Sequence, residues 1–175
     1  MTQSKTLRRW ELALLLGVAL AALLGVWLDG AQAALSDRVI RLHVLANSDS
    51  EADQALKLRV RDAVLAEAEE LFVPGAGRAE TEELLRAHLY DLAAAGAEVV
   101  GEAGYSYPVT ASLVHDYWFP PKTYTDFALP AGAYTALRIE IGAGGGQNWW
   151  CVVFPPLCLG SVSETTQETA LEAGL

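Results

Sequence analysis

The 175-residue sequence predicts an α+β fold: two helices packed on one face of a mixed or mainly antiparallel sheet of about four strands, preceded by an N-terminal apolar leader helix. Three observations predict it. Residues 12–28 are uncharged and apolar, residues 51–100 repeat apolar side chains every three or four positions, and alternating segments flank that helical stretch. The order strand, helix, helix and further strands is typical of helices that cover one face of a sheet.

The N-terminal segment has the pattern of an export signal. Basic residues lie between positions 5 and 9, and we expect Asp29 and Gly30 to end the apolar run. Residues 1–33 are therefore interpreted as a signal peptide, and its predicted cleavage site comprises Ala31, Ala33 and Ala34. The run is about 26 Å long as a helix, close to a bilayer core of roughly 30 Å, so an uncleaved membrane anchor is the alternative. In both cases the rest of the chain is exported.

The exported part begins with an alternating segment at residues 37–46. One face is aliphatic and the other is mixed, which predicts a half-buried strand. The following Asn-Ser-Asp-Ser string is typical of a turn and a helix N-cap, with either Ser48 or Ser50 as the cap. Helical periodicity then predicts helices over residues 51–72 and 81–100, separated by a Pro-Gly stop.

The second half of the sequence changes to period two. Strands are predicted over residues 107–115, 133–141 and 148–154, and the aromatic, prolyl segment 116–125 is typical of a loop or an edge strand. The glycine-rich segment at residues 142–146 separates the last two strands. We expect these two strands to pair as a hairpin with the glycines at its tip.

The exported part is strongly acidic. The protein as a whole has a formal net charge of −10, with 22 acidic and 12 basic residues. Such a surface repels phosphate groups, which argues against nucleic acid and against adhesion to an anionic membrane face. Two cysteines and three histidines form no recognisable zinc spacing. We therefore expect no nucleic-acid partner, no metal and no cofactor.

Both cysteines lie in the segment GGGQNWWCVVFPPLC, residues 144–158. An even cysteine count in an exported protein favours a disulfide, and a Pro-Pro pair can reverse the backbone between Cys151 and Cys158. Closing this loop would contribute about 2.5 kcal/mol. Two free or packed thiols are an alternative. A third is an exported, cell-wall-directed hydrolase in which Cys151 is the nucleophile and His43 or His115 is the base.

Three strings resemble the stage II sporulation protein R family: IRLHVLANSDSEADQALKLRVRDAV (residues 40–64), FPPKTY (119–124) and PAGAYTALRIEIGAGGGQNWWCVVFPPLC (130–158). The resemblance covers about residues 37–159, interpreted as a single exported domain, and leaves residues 160–175 as an acidic tail expected to be disordered. It implies a signalling protein that is secreted across the forespore membrane into the intermembrane space. There it would activate a membrane-embedded aspartic protease of the mother cell, which processes a pro-sigma factor. The resemblance thus implies a protein ligand without catalytic activity.

Six residues are candidates for contact with this partner. Tryptophan is common among residues that dominate binding energy, and alternation places the two adjacent tryptophans on opposite faces of the last strand. The string LANSDS connects a strand to a helix N-terminus, where capping is the structural alternative. A basic cluster nearby is a local exception in an acidic protein. The candidates are Arg41, Asn47, Ser48, Asp49, Trp149 and Trp150.

Overall fold

The computed structural model describes residues 9–124 and 127–157, and the protein divides into two units after Leu35. Cys158 and the predicted tail lie outside the described residues. The first unit contains most of one helix, and the second contains the remaining elements. In chain order the elements are α1 (Arg9–Ser36), β1 (Ile40–Leu45), α2 (Glu51–Glu70), α3 (Arg78–Ala87), α4 (Leu89–Glu102), β2 (Val109–Phe119), β3 (Lys122–Thr123), β4 (Ala128–Leu129), β5 (Gly132–Ile141) and β6 (Asn148–Phe154).

Helix α1 is long and apolar enough to cross a membrane. Its window Trp10–Trp27 has a mean hydropathy of 2.0 and is entirely unburied, which is compatible with either a signal sequence or an anchor. The apolar run ends at Asp29 and Gly30, but the helix continues through them to Ser36. A single glycine weakens a helix by only about 1 kcal/mol, which alanine- and leucine-rich neighbours can outweigh. The predicted cleavage residues lie within this helix, and cleavage there stays a prediction: Ala31, Ala33 and Ala34.

Four strands form a mixed sheet in the order β2-β5-β1-β6. β1 runs parallel to β5 and antiparallel to β6, while β2 pairs antiparallel with β5. The apolar sides of α2 and α4 pack on one face of this sheet and form the core with it. β3 and β4 form a separate two-stranded ribbon. The predicted α+β architecture, with helices on one face of a mixed sheet after an apolar N-terminal helix, is confirmed.

β1 is a central strand, and all six of its residues are buried. Ile40, Leu42 and Val44 belong to the core beneath the helices. Arg41 and His43 point to the opposite face, where aromatic side chains cover them. The prediction of a half-buried strand is wrong, because alternation distinguishes the two faces of a strand without revealing whether the more polar face is also covered.

The helical region contains one more helix than predicted. α2 begins after Ser50, whose hydroxyl accepts a hydrogen bond from the backbone N–H of Asp53, so Ser50 is the N-cap. The predicted second helix is two helices, α3 and α4, that meet at His88. The backbone of His88 leaves helical geometry, with φ −110° and ψ 19°. Apolar periodicity continues through this kink, so the sequence pattern does not reveal it.

β5 and β6 are not neighbours, and the predicted hairpin between the last two strands is wrong. β1 lies between them, so residues 142–147 cross over the C-terminal end of β1. A glycine-rich segment between two alternating segments is compatible with a tight turn or with a close crossing of another backbone. In this protein it is a crossing.

Candidate functional site

Two loops meet at the C-terminal end of β1, and we call them the paired loops: residues 46–50, which follow β1, and residues 142–147, which connect β5 to β6. Their backbones are joined directly. The N–H of Gly146 donates to the carbonyl oxygen of Ala46 at 2.9 Å, and the N–H of Gly145 donates to the carbonyl oxygen of Asn47 at 3.3 Å. Segments from opposite ends of the domain sequence thus form one surface.

Two side chains of the first loop cross-link it to the second. Asn47 Oδ1 accepts a hydrogen bond from the N–H of Ala143 at 2.9 Å, and Asp49 Oδ1 accepts one from the N–H of Gln147 at 2.7 Å. An ionised acceptor such as the Asp49 carboxylate makes a stronger hydrogen bond than a neutral one. Asn47 and Asp49, both predicted as partner contacts, therefore have a structural role. Asp49 is exposed, whereas Asn47 is half-buried.

Asp53, in the first turn of α2, is a buried acid beneath the paired loops. Its Oδ2 accepts hydrogen bonds from Ser48 Oγ at 2.5 Å and from Asn47 Nδ2 at 2.9 Å. These bonds, that of Ser48 first, hold the pKa of Asp53 below its usual value, because they stabilise the ionised carboxylate. Ser48, another predicted contact residue, thus directs its hydroxyl inward and fixes the first loop to α2.

Two glycines are required by the close approach of the paired loops. Gly142 has a φ of 60°, in the region that favours glycine, and a Cβ there would overlap the side chain of Asn47. At Gly146 a Cβ would overlap the carbonyl group of Ser48. A Cβ at Gly145, by contrast, would lie 3.5 Å from the carbonyl oxygen of Asn47, an ordinary van der Waals contact. The glycine-rich composition therefore serves packing between the loops.

Lys57 of α2 supports the paired loops from the helix side. Its Nζ donates hydrogen bonds to Gln54 Oε1 at 2.6 Å and to the carbonyl oxygen of Gln147 at 3.1 Å. Gln54 Nε2 in turn donates to the carbonyl oxygen of Ser48 at 2.8 Å. Burial lowers the pKa of Lys57, and the nearby Arg61 guanidinium lowers it further. α2 is thereby hydrogen-bonded to both loops.

Trp149 and Trp150 follow the second loop and lie on opposite faces of β6, as predicted. Trp149 packs against the core on the helix side, with the Arg61 guanidinium 4.7 Å from its ring centroid. The ring of Trp150 lies on the other face, 6.1 Å from His43 and 6.2 Å from Phe119. Both side chains are half-buried. Each therefore has part of its surface available for a partner while the rest packs internally.

Arg41 lies inside an aromatic cluster on the face opposite the helices, with no exposed surface. Its guanidinium carbon lies 4.0 Å from the centroid of the Phe119 ring and 5.1 Å from that of Tyr134. Its Nη2 donates to the hydroxyl of Tyr124 at 3.3 Å. We predicted Arg41 as a surface contact; in this conformation no atom of its side chain reaches the surface. Arg41 is buried because aromatic side chains from distant segments of the sequence cover it.

His43 lies beside Arg41 on the same face and is also fully buried. Its Nε2 is 2.7 Å from Asn148 Oδ1, and its ring lies 5.1 Å from that of Tyr117. Burial lowers the pKa of His43, because the protonated ring loses its hydration; the Asn148 hydrogen bond opposes this effect. The ring is therefore neutral at neutral pH and serves packing within the cluster.

Cys151 is buried on the helix face of β6, with 2% of its surface exposed, and there is no free cysteine in the described part of the protein. Cys158 lies outside the described residues, so the Cys151–Cys158 disulfide stays a prediction. Cys151 pairs with Leu42, so its side chain and that of His43 lie on opposite faces of the sheet. His115 belongs to β2, at the other edge of the sheet, roughly 14 Å away at a strand spacing of about 4.8 Å. In this conformation neither histidine lies within hydrogen-bond reach of this thiol.

Trp118 is not among the predicted contact residues, yet 67% of its surface is exposed. β2 extends to Phe119 as an edge strand, after a register shift near Asp116, whose φ is 54°. Trp118 and the buried Phe119 therefore point to opposite sides of this edge. The signal was present in the run DYWFPPKTY, where continued alternation would have separated an inward phenylalanine from an outward tryptophan.

Within residues 9–124 and 127–157, no group of three or more His, Cys, Asp or Glu side chains could hold a metal ion. The candidate site consists of the paired loops and, next to them, an aromatic cluster around the buried Arg41.

Comparisons with known proteins agree on one family. A family model described as stage II sporulation protein R matches residues 36–164. The protein named stage II sporulation protein R of Bacillus subtilis (strain 168) is 39% identical over 124 residues, which is 71% of this chain and 55% of that relative. The chain thus aligns with about half the length of the curated relative it matches, and no solved structure matches it. The paired loops lie within two of the three sequence strings that resemble this family. The chain belongs to the stage II sporulation protein R family.

Proposed function

We propose that residues 37–159 form a signalling protein of endospore formation that activates a membrane-embedded aspartic protease of the mother cell and so leads to processing of a pro-sigma factor. Membership of the stage II sporulation protein R family supports a role in sporulation. Helix α1 supports export, because it is compatible with a signal sequence or an anchor. In this proposal the domain reaches the intermembrane space and acts by binding, without chemistry of its own.

The main support for the proposal is the exposed edge of the paired loops, which hydrogen bonds between the loops hold in place. Asp49, Ala143 and Gln147 are exposed along it, while four hydrogen bonds between the loops hold their backbones. A surface that is already ordered loses little conformational entropy when it binds, which favours affinity. The proposed contact set at this edge comprises Asn47, Ser48, Asp49, Trp149 and Trp150.

Activation of a protease by a ligand requires differential binding. The ligand shifts the protease toward its active form only if it binds that form more tightly than the inactive one. A tenfold preference corresponds to about 1.4 kcal/mol. Partial burial of one or two tryptophan side chains in the partner can supply this difference, because tryptophan is enriched among residues that dominate interfaces.

The test is a co-expression assay in which processing of the pro-sigma factor is measured with the protease and variants of this protein. Ala143→Arg adds a bulky cation to the exposed edge and removes no internal hydrogen bond, because the residue is held through its backbone N–H. We expect it to reduce processing about tenfold. Ala97→Arg, at an exposed position of α4, is the matched control and should process normally. Full processing by a stably exported Ala143→Arg variant would remove the paired loops from the proposal.

Two further parts of the proposal concern the mature protein. If the leader is cleaved at the predicted site, mass spectrometry of the exported protein finds a start at Ala34; a start at residue 1 instead indicates a membrane anchor.

If Cys151 and Cys158 form a disulfide, thiol titration of the denatured, unreduced protein finds no reactive thiol. Two reactive thiols would exclude the disulfide. A purified protein that hydrolyses cell wall, and stops doing so as Cys151→Ser, would favour the alternative hydrolase.

A further inference from the structure

Arg41 is a fully buried cation whose hydrogen-bonding capacity is only partly used. Its guanidinium carries a positive charge and five N–H donors. Among the described residues, its guanidinium donates one hydrogen bond, to the hydroxyl of Tyr124 at 3.3 Å, and its Nε and Nη1 have no acceptor there. No carboxylate of the described residues forms an ion pair with it.

The surroundings of Arg41 compensate its charge only in part. Moving an ion out of water is unfavourable even after relaxation of the protein. The rings of Phe119 and Tyr134, at 4.0 and 5.1 Å, offset only part of this penalty through cation–π attraction. An anion placed beside the guanidinium would supply what these rings do not. The balance of charge at this point therefore favours an anionic ligand.

A second observation points the same way. The indole N–H of Trp150 is buried without an acceptor among the described residues. Its ring packs against Phe119, as the guanidinium of Arg41 does. Two side chains around one phenylalanine thus have buried nitrogens without a partner among the described residues, and both side chains can only donate hydrogen bonds. Buried polar groups in folded proteins are nearly always paired, so such a cluster requires an explanation.

The charge of the cluster selects among anions. The rings of Phe119 and Tyr134 approach the guanidinium from two directions and lie 6.0 Å apart, nearly perpendicular to each other. A carboxylate carries one charge and can accept two parallel hydrogen bonds from a guanidinium, so one carboxylate would neutralise Arg41. A phosphate brings a second charge.

We expect an anion to reach Arg41 at the position of Tyr124. It is half-buried, and its hydroxyl makes two long contacts, 3.3 Å from Arg41 Nη2 and 3.5 Å to the carbonyl oxygen of Trp150. We propose that Arg41 is the receptor for one carboxylate of an acidic peptide, which enters where Tyr124 lies and takes over its hydrogen bond. A glutamate or aspartate side chain and the C-terminal carboxylate of a peptide share this chemistry. The site stands on its own geometry and does not depend on the proposed protease.

The test uses the purified full-length protein in a non-ionic detergent, and sodium acetate as the probe. The Nε–H resonance of Arg41 is followed by NMR and assigned by its loss in Arg41→Lys. We expect a saturable shift with acetate and none with sodium chloride at equal ionic strength. Tyr124→Phe retains the ring and removes the competing hydroxyl, so it should bind acetate about fivefold more tightly, the effect of one ordinary hydrogen bond. Arg138→Gln, on the same face but paired with Glu140, is the control and should bind as the unchanged protein does.

Two peptide probes then separate the sources of the carboxylate. One has a single glutamate and an amidated C-terminus; the other has no acidic side chain and a free C-terminus. A stronger response to either one assigns the source and supports the site. No acetate response in the unchanged protein and in Tyr124→Phe would overturn the proposal, as would tighter binding of inorganic phosphate. Because no protease is present, such a failure leaves the signalling proposal untouched.

Discussion

The carboxylate of Asp49 accepts a hydrogen bond from the backbone N–H of Gln147 at 2.7 Å, which joins the turn after the first strand to the loop before the last one. This bond, together with that between Asn47 and Ala143, makes two distant segments of the sequence a single structural unit. Damage to either loop should therefore affect the folding of both.

Gly146→Ala should lower the free energy of unfolding by about 2 kcal/mol, within the range for overpacked sites, because the new Cβ would overlap the carbonyl group of Ser48. Gly145→Ala is the matched control, since its Cβ would meet Asn47 only at ordinary van der Waals distance. Urea unfolding of the two variants measures the difference. Equal stability of both variants would show that the loops are not in close contact.

Asn47→Ala should lower the free energy of unfolding by about 1 to 3 kcal/mol, because it removes the acceptor for the N–H of Ala143 and a donor to the buried Asp53 carboxylate. Gln147→Ala, whose exposed side chain can be removed without loss of the backbone bond to Asp49, should change stability by less than about 0.5 kcal/mol. Thermal unfolding monitored by circular dichroism compares the two. A stable Asn47→Ala variant would contradict the structural role of this residue.

Asp53 should make the protein less stable in acid. Its pKa in the folded state lies below the ordinary value of 3.8, so the unfolded polypeptide takes up the proton first. The stabilisation is therefore fully present above about pH 4 and is lost as the pH falls through the lower, folded-state pKa. Denaturant unfolding between pH 5 and 2 measures it. Asp53→Asn should have a flatter pH dependence in this window, and an unchanged slope would argue against Asp53 as the cause.

His43 should produce a second pH dependence at a higher pH. Its folded-state pKa lies below the ordinary value of 6.5, because burial penalises the charged ring. The unfolded polypeptide binds this proton first, so stability is fully present above about pH 6.5 and falls as the pH is lowered through the folded-state pKa. Stability measured from pH 8 to 5 should show this decrease, and His43→Gln should reduce it. His88→Gln, at the junction of α3 and α4, is the control for histidine content, and an equal effect of both substitutions would contradict the assignment.

Local features of the fold could be predicted because short-range periodicity determines them. The start of α2 after the LANSDS string, the position of β6 and the opposite faces of its two tryptophans all follow from spacing within ten residues. The kink at His88 breaks no apolar pattern, so no sign of it is visible in the sequence.

Long-range features could not be predicted, because they depend on which segments meet. β1 lies between β5 and β6, so the connection between these two strands is a crossover and not the expected hairpin. Residues 142–147 therefore lie against Asn47. The burial of Arg41 depends on Phe119, Tyr124 and Tyr134, which all come from the second half of the sequence. A charged residue on an alternating strand normally marks the solvent face, so its aromatic cover becomes visible only in three dimensions.

The place of β1 in the sheet also constrains when the domain can assemble. Among the strands of the described residues, β1 comes first in the sequence, while both of its neighbours, β5 and β6, come last. A polypeptide that emerges N-terminus first, from a ribosome or a translocation channel, leaves its central strand without partners until residues up to Phe154 have followed. Products of synthesis or transport that end before β6 consequently cannot display the paired loops, and only a polypeptide that has emerged as far as Phe154 can be recognised through them.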